Sequence, residues 1–148
     1  ANSARGYARA MLEAGIGEAD HKGVATEQTG IAAGYDAMLR IMKLEPRPTA
    51  LAVVSDLMAA GALEAARSHG MSVPHDLSIV GYDDITLGAL LSPPLTTVNQ
   101  DKDSLARAAV DLLLDEIQSG EHIHRQVLLK PTLVVRGSTA PVPHATEP

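Results

Sequence analysis

Cysteine is absent from the 148 residues, so the chain has no disulfide scaffold, no thiolate zinc site and no cysteine nucleophile. Phenylalanine and tryptophan are absent too, and tyrosine occurs three times. The core must therefore be built from Leu, Val, Ile, Met and Ala, with few rings left to stack on bases or sugars. No apolar run is long enough to span a membrane, and residues 1–15 lack the pattern of a secretory leader. We therefore expect a cytoplasmic address and no membrane partner. Positive charge is scarce: 12 Lys and Arg face 18 Asp and Glu, a formal net charge of −6. Such a chain offers duplex DNA little counterion release. What remains is an ordinary globular composition at a length that suits one domain, with a core needing neither disulfide nor metal.

The chain alternates helical and strand patterns. Residues 3–14 place Tyr7, Met11 and Ala14 on one helical face, and Gly15 stops the helix. A polar, Gly-rich stretch follows, with room for a short strand near Val24. Ile31, Tyr35, Met38 and Met42 mark a second helix over residues 29–44, ended by Pro46 and Pro48. LAVV (51–54) reads as a buried strand. Asp56 is placed to cap a third helix that runs to about His69 and closes at Gly70. LSIVGY (77–82) and TTVN (96–99) are further strands. A helix from Asp103 or Ser104 ends at Gly120, and VLL (127–129) and TLVVR (132–136) complete the strands. Residues 141–148 form a Pro-rich tail expected to be disordered. Buried strands between amphipathic helices predict an α/β fold with an open parallel sheet flanked by helices.

In such a sheet, ligands bind beyond the carboxyl ends of the strands. There LAVV leads into Ser55 and Asp56, LSIVGY into Asp83 and Asp84, and TTV into Asn99, Gln100 and Asp101. Three strand ends thus bring short polar side chains to one edge. That suits a small polyhydroxylated ligand, because a carboxylate can accept two hydroxyl hydrogen bonds at once. The same aspartates also stand where helix caps and turn residues belong, so capping remains the alternative for each.

Other constellations carry less. Gly15-Ile16-Gly17 follows a helix and lacks the third glycine of a dinucleotide-binding turn. GxxxxGK[ST], GxSxG and HExxH do not occur, so neither a cofactor nor catalysis is expected. Glu121, His122 and His124 read as an ordinary surface turn, and no metal is expected. The stretch 85–95 is apolar for a loop, with Ile85, Leu87, Leu90, Leu91 and Leu95 between acids and prolines. It either folds under the domain or presents a patch to a partner, and we favour the partner.

Residues 49–100 resemble the effector-binding core of lactose/galactose-repressor (LacI/GalR) type transcriptional regulators. The matching pieces are SDLMAAGA (55–62), VPHDLSIVGYDD (73–84), PPLTTV (93–98) and LVVRGST (133–139). The resemblance implies the C-terminal subdomain of a periplasmic-binding-protein-like (type I) fold over residues 1–140. Residues 101–120 would be the helix that crosses to the other subdomain, so the chain reads as part of a longer regulator. It implies a sugar-like small-molecule effector, a homodimer, and operator DNA read only through a helix-turn-helix that these residues do not contain. Asp83 matches the acid that holds effector groups, and Gln100 matches a contact near the crossover. Ser55 stands where the family often has Asn, and Asp56 follows it. The family's effector-binding Arg position is Ser3 here, with Arg5 nearby, and Val24 and Ala25 replace the usual acid and aromatic. The resemblance also places the dimer contacts around Met58, Ala60, Leu87, Leu90 and Leu91. The competing classes are a solute-binding protein of a transporter, with the same two-lobed fold, and an α/β enzyme.

Overall fold

A computed structural model describes residues 2–17, 22–119 and 125–141. Chain order is α1 (Asn2–Glu13), α2 (Ile31–Ile41), β1 (Ala50–Ala52), α3 (Asp56–Ser68), β2 (Ser78–Tyr82), α4 (Thr86–Leu90), β3 (Thr96–Asn99), α5 (Lys102–Ser119) and β4 (Thr132–Val134). The four strands form one sheet in the order β1-β2-β3-β4. Ala52 pairs with Val80 and Val80 with Thr96, both in parallel register.

The open sheet flanked by helices is as expected and parallel through β1, β2 and β3, but its last strand makes it mixed. β4 runs antiparallel to β3, with Asn99 opposite Thr132 and Thr97 opposite Val134. The chain returning from α5 meets β3 at its carboxyl end and runs back along it, so the edge strand enters reversed. A reversed edge strand is common on an otherwise parallel sheet. Residues 127–129 form no strand, because nothing among the described residues pairs with them, and Leu128 is exposed. Nor is there a strand near Val24, whose half-buried side chain packs on the core instead.

That core lies between the sheet and the α2–α3 pair. Met38 and Ile41 of α2 meet Ala59, Ala62, Leu63, Ala65 and Ala66 of α3 over Ile79 and Leu95. With no Phe or Trp to fill space, the helices close the gap by approaching until their backbones touch. A Cβ on Gly34 would strike the Met58 carbonyl, and one on Gly61 would strike that of Ile31. α3 starts where Ser55 accepts a hydrogen bond from the Met58 N–H at 3.3 Å, so Ser55 and not Asp56 is the cap.

The opposite face is sparsely covered. Tyr7 and Met11 of α1 lie over Ala50, Ala52, Ser78 and Val80, leaving a shallow cavity of about 180 Å³. α5 buries none of its residues. Residues 136–139 close the fold by hydrogen bonding. The buried Ser138 hydroxyl donates to the Ile79 carbonyl at 2.6 Å and accepts from the Thr96 N–H at 2.8 Å. The expected tail lies outside the described residues from position 142 onward, as does the Glu121–His122–His124 turn.

Candidate functional site

The register places the site before any side chain is considered. Ser55, Asp83 and Asn99 each stand three residues beyond a paired position, Ala52, Val80 and Thr96, on adjacent parallel strands. They therefore occupy equivalent places at the carboxyl edge. The turn after β2 takes an unusual path, with φ at 112° for Asp83 and 49° for Asp84. Non-glycine residues seldom adopt such angles, which cost on the order of 1–3 kcal/mol and persist only where surrounding contacts over-determine them.

Those contacts give the two aspartates different work. Asp83 donates its backbone N–H to Val98 at 3.0 Å, and its Oδ1 accepts from Gln100 Nε2 at 2.6 Å. The Lys102 ammonium donates to its carbonyl. No hydrogen bond from the described residues reaches its Oδ2. Asp84 is occupied on both oxygens: Oδ1 by Arg136 Nη2 at 2.6 Å and Oδ2 by Asn99 Nδ2 at 2.8 Å. The hydrogen-bonded Arg136 guanidinium holds the Asp84 carboxyl below the usual aspartate range, and Asn99 adds to that. On the exposed rim, Asp101 accepts from the Ser104 N–H at 3.2 Å, and the Ser104 bonds likewise lower its carboxyl. This contact caps α5, which starts at Lys102 and so ahead of the expected Asp103 or Ser104.

Asp83, Ser55 and Gln100 thus share one edge, with Asp83 and Gln100 bonded directly. The other site expectations fare differently. Asp56 is a correction, since the residue is 1% exposed and has no face for a ligand. Its Oδ1 accepts from the Thr97 hydroxyl at 2.6 Å and its Oδ2 from the Ile85 N–H at 2.9 Å. It lies against Gly81, where a Cβ would collide with it and come within 2.8 Å of Leu95. Arg5 is exposed on α1, and no hydrogen bond among the described residues ties it to this edge. Arg136 is the addition, and Asn99, already expected at this edge, proves to bond Asp84. The Arg136 signal was its place in LVVRGST, but its partner lies 52 residues away in sequence.

The expected apolar patch also needs correction. Met58 and Ala60, 5% and 7% exposed, are buried in this chain and cannot line a surface. Every residue from 58 to 63 is buried, so α3 is enclosed on more than one side there, while Leu57 faces out. The stretch 85–95 contains α4, and it divides: Leu90 is 76% exposed, whereas Leu87 is half-buried and Leu91 packs on the core.

Known proteins resemble this chain in sequence and fold. The periplasmic binding protein-like domain family matches residues 1–139. The HTH-type transcriptional repressor CytR of Escherichia coli is 40% identical over 140 residues, covering 94% of this chain and 40% of that protein. The ribose operon repressor of Haemophilus influenzae is 38% identical over 137 residues, covering 93% and 41%. Among solved structures, a LacI family transcriptional regulator from Enterococcus faecium with bound ribose superposes with a TM-score of 0.85 at 29% identity. The match covers 93% of this chain and 50% of that one. The transcriptional regulator CelR–cellobiose complex gives 0.81 at 33% identity, covering 90% and 40%. The chain spans about two fifths of the length of the curated relatives it matches. It belongs to the periplasmic binding protein-like domain family, in the form carried as the effector-binding domain by LacI-type regulators.

Proposed function

We propose that this chain is the effector-sensing part of a DNA-binding transcriptional repressor whose effector is a small sugar-like molecule. The observation that carries the reading is the Asp83 carboxylate, fixed by Gln100 through one oxygen and left with the other for a ligand hydroxyl. Ser55 supplies a second polar group at the same edge; its oxygen accepts the helix cap and its O–H is left to donate. The repressor names of the relatives favour a regulator over a transporter's solute-binding protein. Ribose, cellobiose and lactose, bound in solved relatives, form the first panel to test. Calorimetry on the full-length protein should find one of these or a close analogue binding, with affinity reduced about 10- to 100-fold by Asp83→Asn. That reduction is the loss of a charge-assisted hydrogen bond, about 1.5–3 kcal/mol. Unchanged affinity at unchanged melting temperature would return Asp83 to the role of a turn residue.

The same reading includes a cytoplasmic homodimer that contacts operator DNA through a helix-turn-helix outside these residues. The exposed Leu90, with Leu87 and Leu91 beside it, is the part of the expected patch still available to a second copy. Light scattering on Leu90→Lys should show a weakened dimer, because a charge at a desolvated interface is costly. A dimer of undiminished strength would place the contact elsewhere.

A further inference from the structure

The turn that presents Asp83 is held from a distance. Arg136, just beyond β4, makes three hydrogen bonds that span the sheet. Its backbone N–H donates to Thr96 Oγ1 at 2.9 Å, Nη1 donates to the Leu95 carbonyl at 2.9 Å, and Nη2 reaches Asp84. The Arg136–Asp84 pair is largely shielded, with side-chain exposures of 21% and 16%. It therefore competes with water far less than the exposed Arg67–Glu64 pair does. Asn99 fills the second Asp84 oxygen, so this carboxylate is pinned from β3 and from the segment after β4 at once.

Asp83 and Asp84 share one left-handed turn, with both φ angles positive. Aspartate has little intrinsic preference for two such angles in succession. The turn stays in place because its surroundings leave it no other path. Without Arg136, Asp84 would keep only Asn99 on Oδ2 and a long 3.4 Å bond from its N–H to Thr97 Oγ1, a weaker hold against relaxation toward negative φ. Such relaxation would rotate the peptide between the two residues and turn the Asp83 carboxylate away from Gln100.

We propose that Arg136, acting through Asp84, is a positioning residue that fixes the orientation of the Asp83 carboxylate. Its functional weight rests on reading Asp83 as the ligand acceptor, but the placement itself can be tested without any ligand. The probe is the side-chain amide of Gln100, whose N–H bonds Asp83 Oδ1. In nitrogen–proton correlation spectra of the 148-residue chain, Asp84→Asn and Arg136→Gln should move that signal toward the position of an exposed glutamine such as Gln28. Arg136→Lys, which keeps the charge but not the fork, should restore it part way. Ser138→Ala is the control, because it cuts the neighbouring bonds to Ile79 and Thr96 and should lower the melting temperature without moving Gln100.

If Arg136→Gln does not fold, the isosteric Asp84→Asn decides. A folded Asp84→Asn variant whose Gln100 amide stays in place overturns the proposal. So does a Ser138→Ala variant that moves it equally, since the effect would then be general loosening. On the sugar panel, the full-length Asp84→Asn protein should bind about tenfold more weakly. If Gln100 moves yet Asp83→Asn leaves affinity unchanged, the positioning stands and the ligand reading of Asp83 falls.

Discussion

Helices α3 and α5 are both rich in Ala and Leu, yet their surroundings could hardly differ. Nine residues of α3 are buried, and its backbone touches that of α2 at Gly34 and Gly61. α5 is longer by five residues, 18 against 13, and buries none, leaving Leu105, Val110, Leu113, Leu114 and Ile117 exposed. Apolar content therefore does not decide burial within this chain. What decides it is whether an opposing surface exists: α3 packs closely on α2, whereas among the described residues none encloses α5. The same contrast runs through the polar groups: Asp56 is sealed beneath α3, while Asp101 caps α5 in the open.

The comparison can be broken by substitutions whose costs depend on which region they enter. Asp56→Ala should have the largest effect. It strands the Thr97 hydroxyl and the Ile85 N–H in a dry environment, about 1–3 kcal/mol for each unpaired donor. Chemical denaturation should show that loss with little change in slope. Next comes a paired test with glycine. Gly34→Ala or Gly61→Ala should destabilise by about 3 kcal/mol, because the new Cβ meets backbone that can yield only by separating the helices. Gly6→Ala, in the open helix α1 with nothing within 4 Å, should instead stabilise by up to about 1 kcal/mol through helix propensity. Thermal melts showing the same sign at Gly34 and Gly6 would erase the distinction between the two regions.

A smaller effect is expected at the Asp84–Arg136 bridge, and it depends on pH. The folded Asp84 carboxyl lies below its usual range, so the unfolded chain binds more protons in acid. The bridge's contribution is then complete above the unfolded value of about 3.9 and is lost as pH falls through the lower folded value. Denaturation between pH 7 and pH 2 should show a shallower decline below about pH 4 in Asp84→Asn than in the parent. The smallest effect belongs to α5, where Leu113→Lys or Ile117→Lys should change the stability of this chain by less than about 0.5 kcal/mol. A larger loss would mean that α5 is covered in solution.

The main helices and the four strands of the sheet, the position of the Ser55, Asp83 and Gln100 edge, and the family itself were legible from the residues alone. By contrast, α4 reads as a loop, and the strands expected near Val24 and at 127–129 do not form. The legible features are local or repetitive: β-branched runs, helical periodicity, and polar residues that follow each strand. Signals of that kind survive in sequence because their partners lie nearby or their spacing repeats. Tertiary structure alone decided the rest. The direction of β4 depends on where α5 delivers the chain, and residues 132–136 carry no mark of it. Met58 and Ala60 are buried in a helix packed closely enough on α2 that a Cβ on Gly34 would strike the Met58 carbonyl. Of three adjacent strand ends rich in aspartate, composition could not say which carboxylate is sealed, which is bridged and which is left with a free oxygen. Asp56, Asp84 and Asp83 take those roles through Thr97, Arg136 and Gln100 respectively, at sequence separations of 41, 52 and 17 residues. Hydrogen-bond partners that distant become neighbours only when the sheet has formed, so the division of labour among the aspartates is a property of the fold.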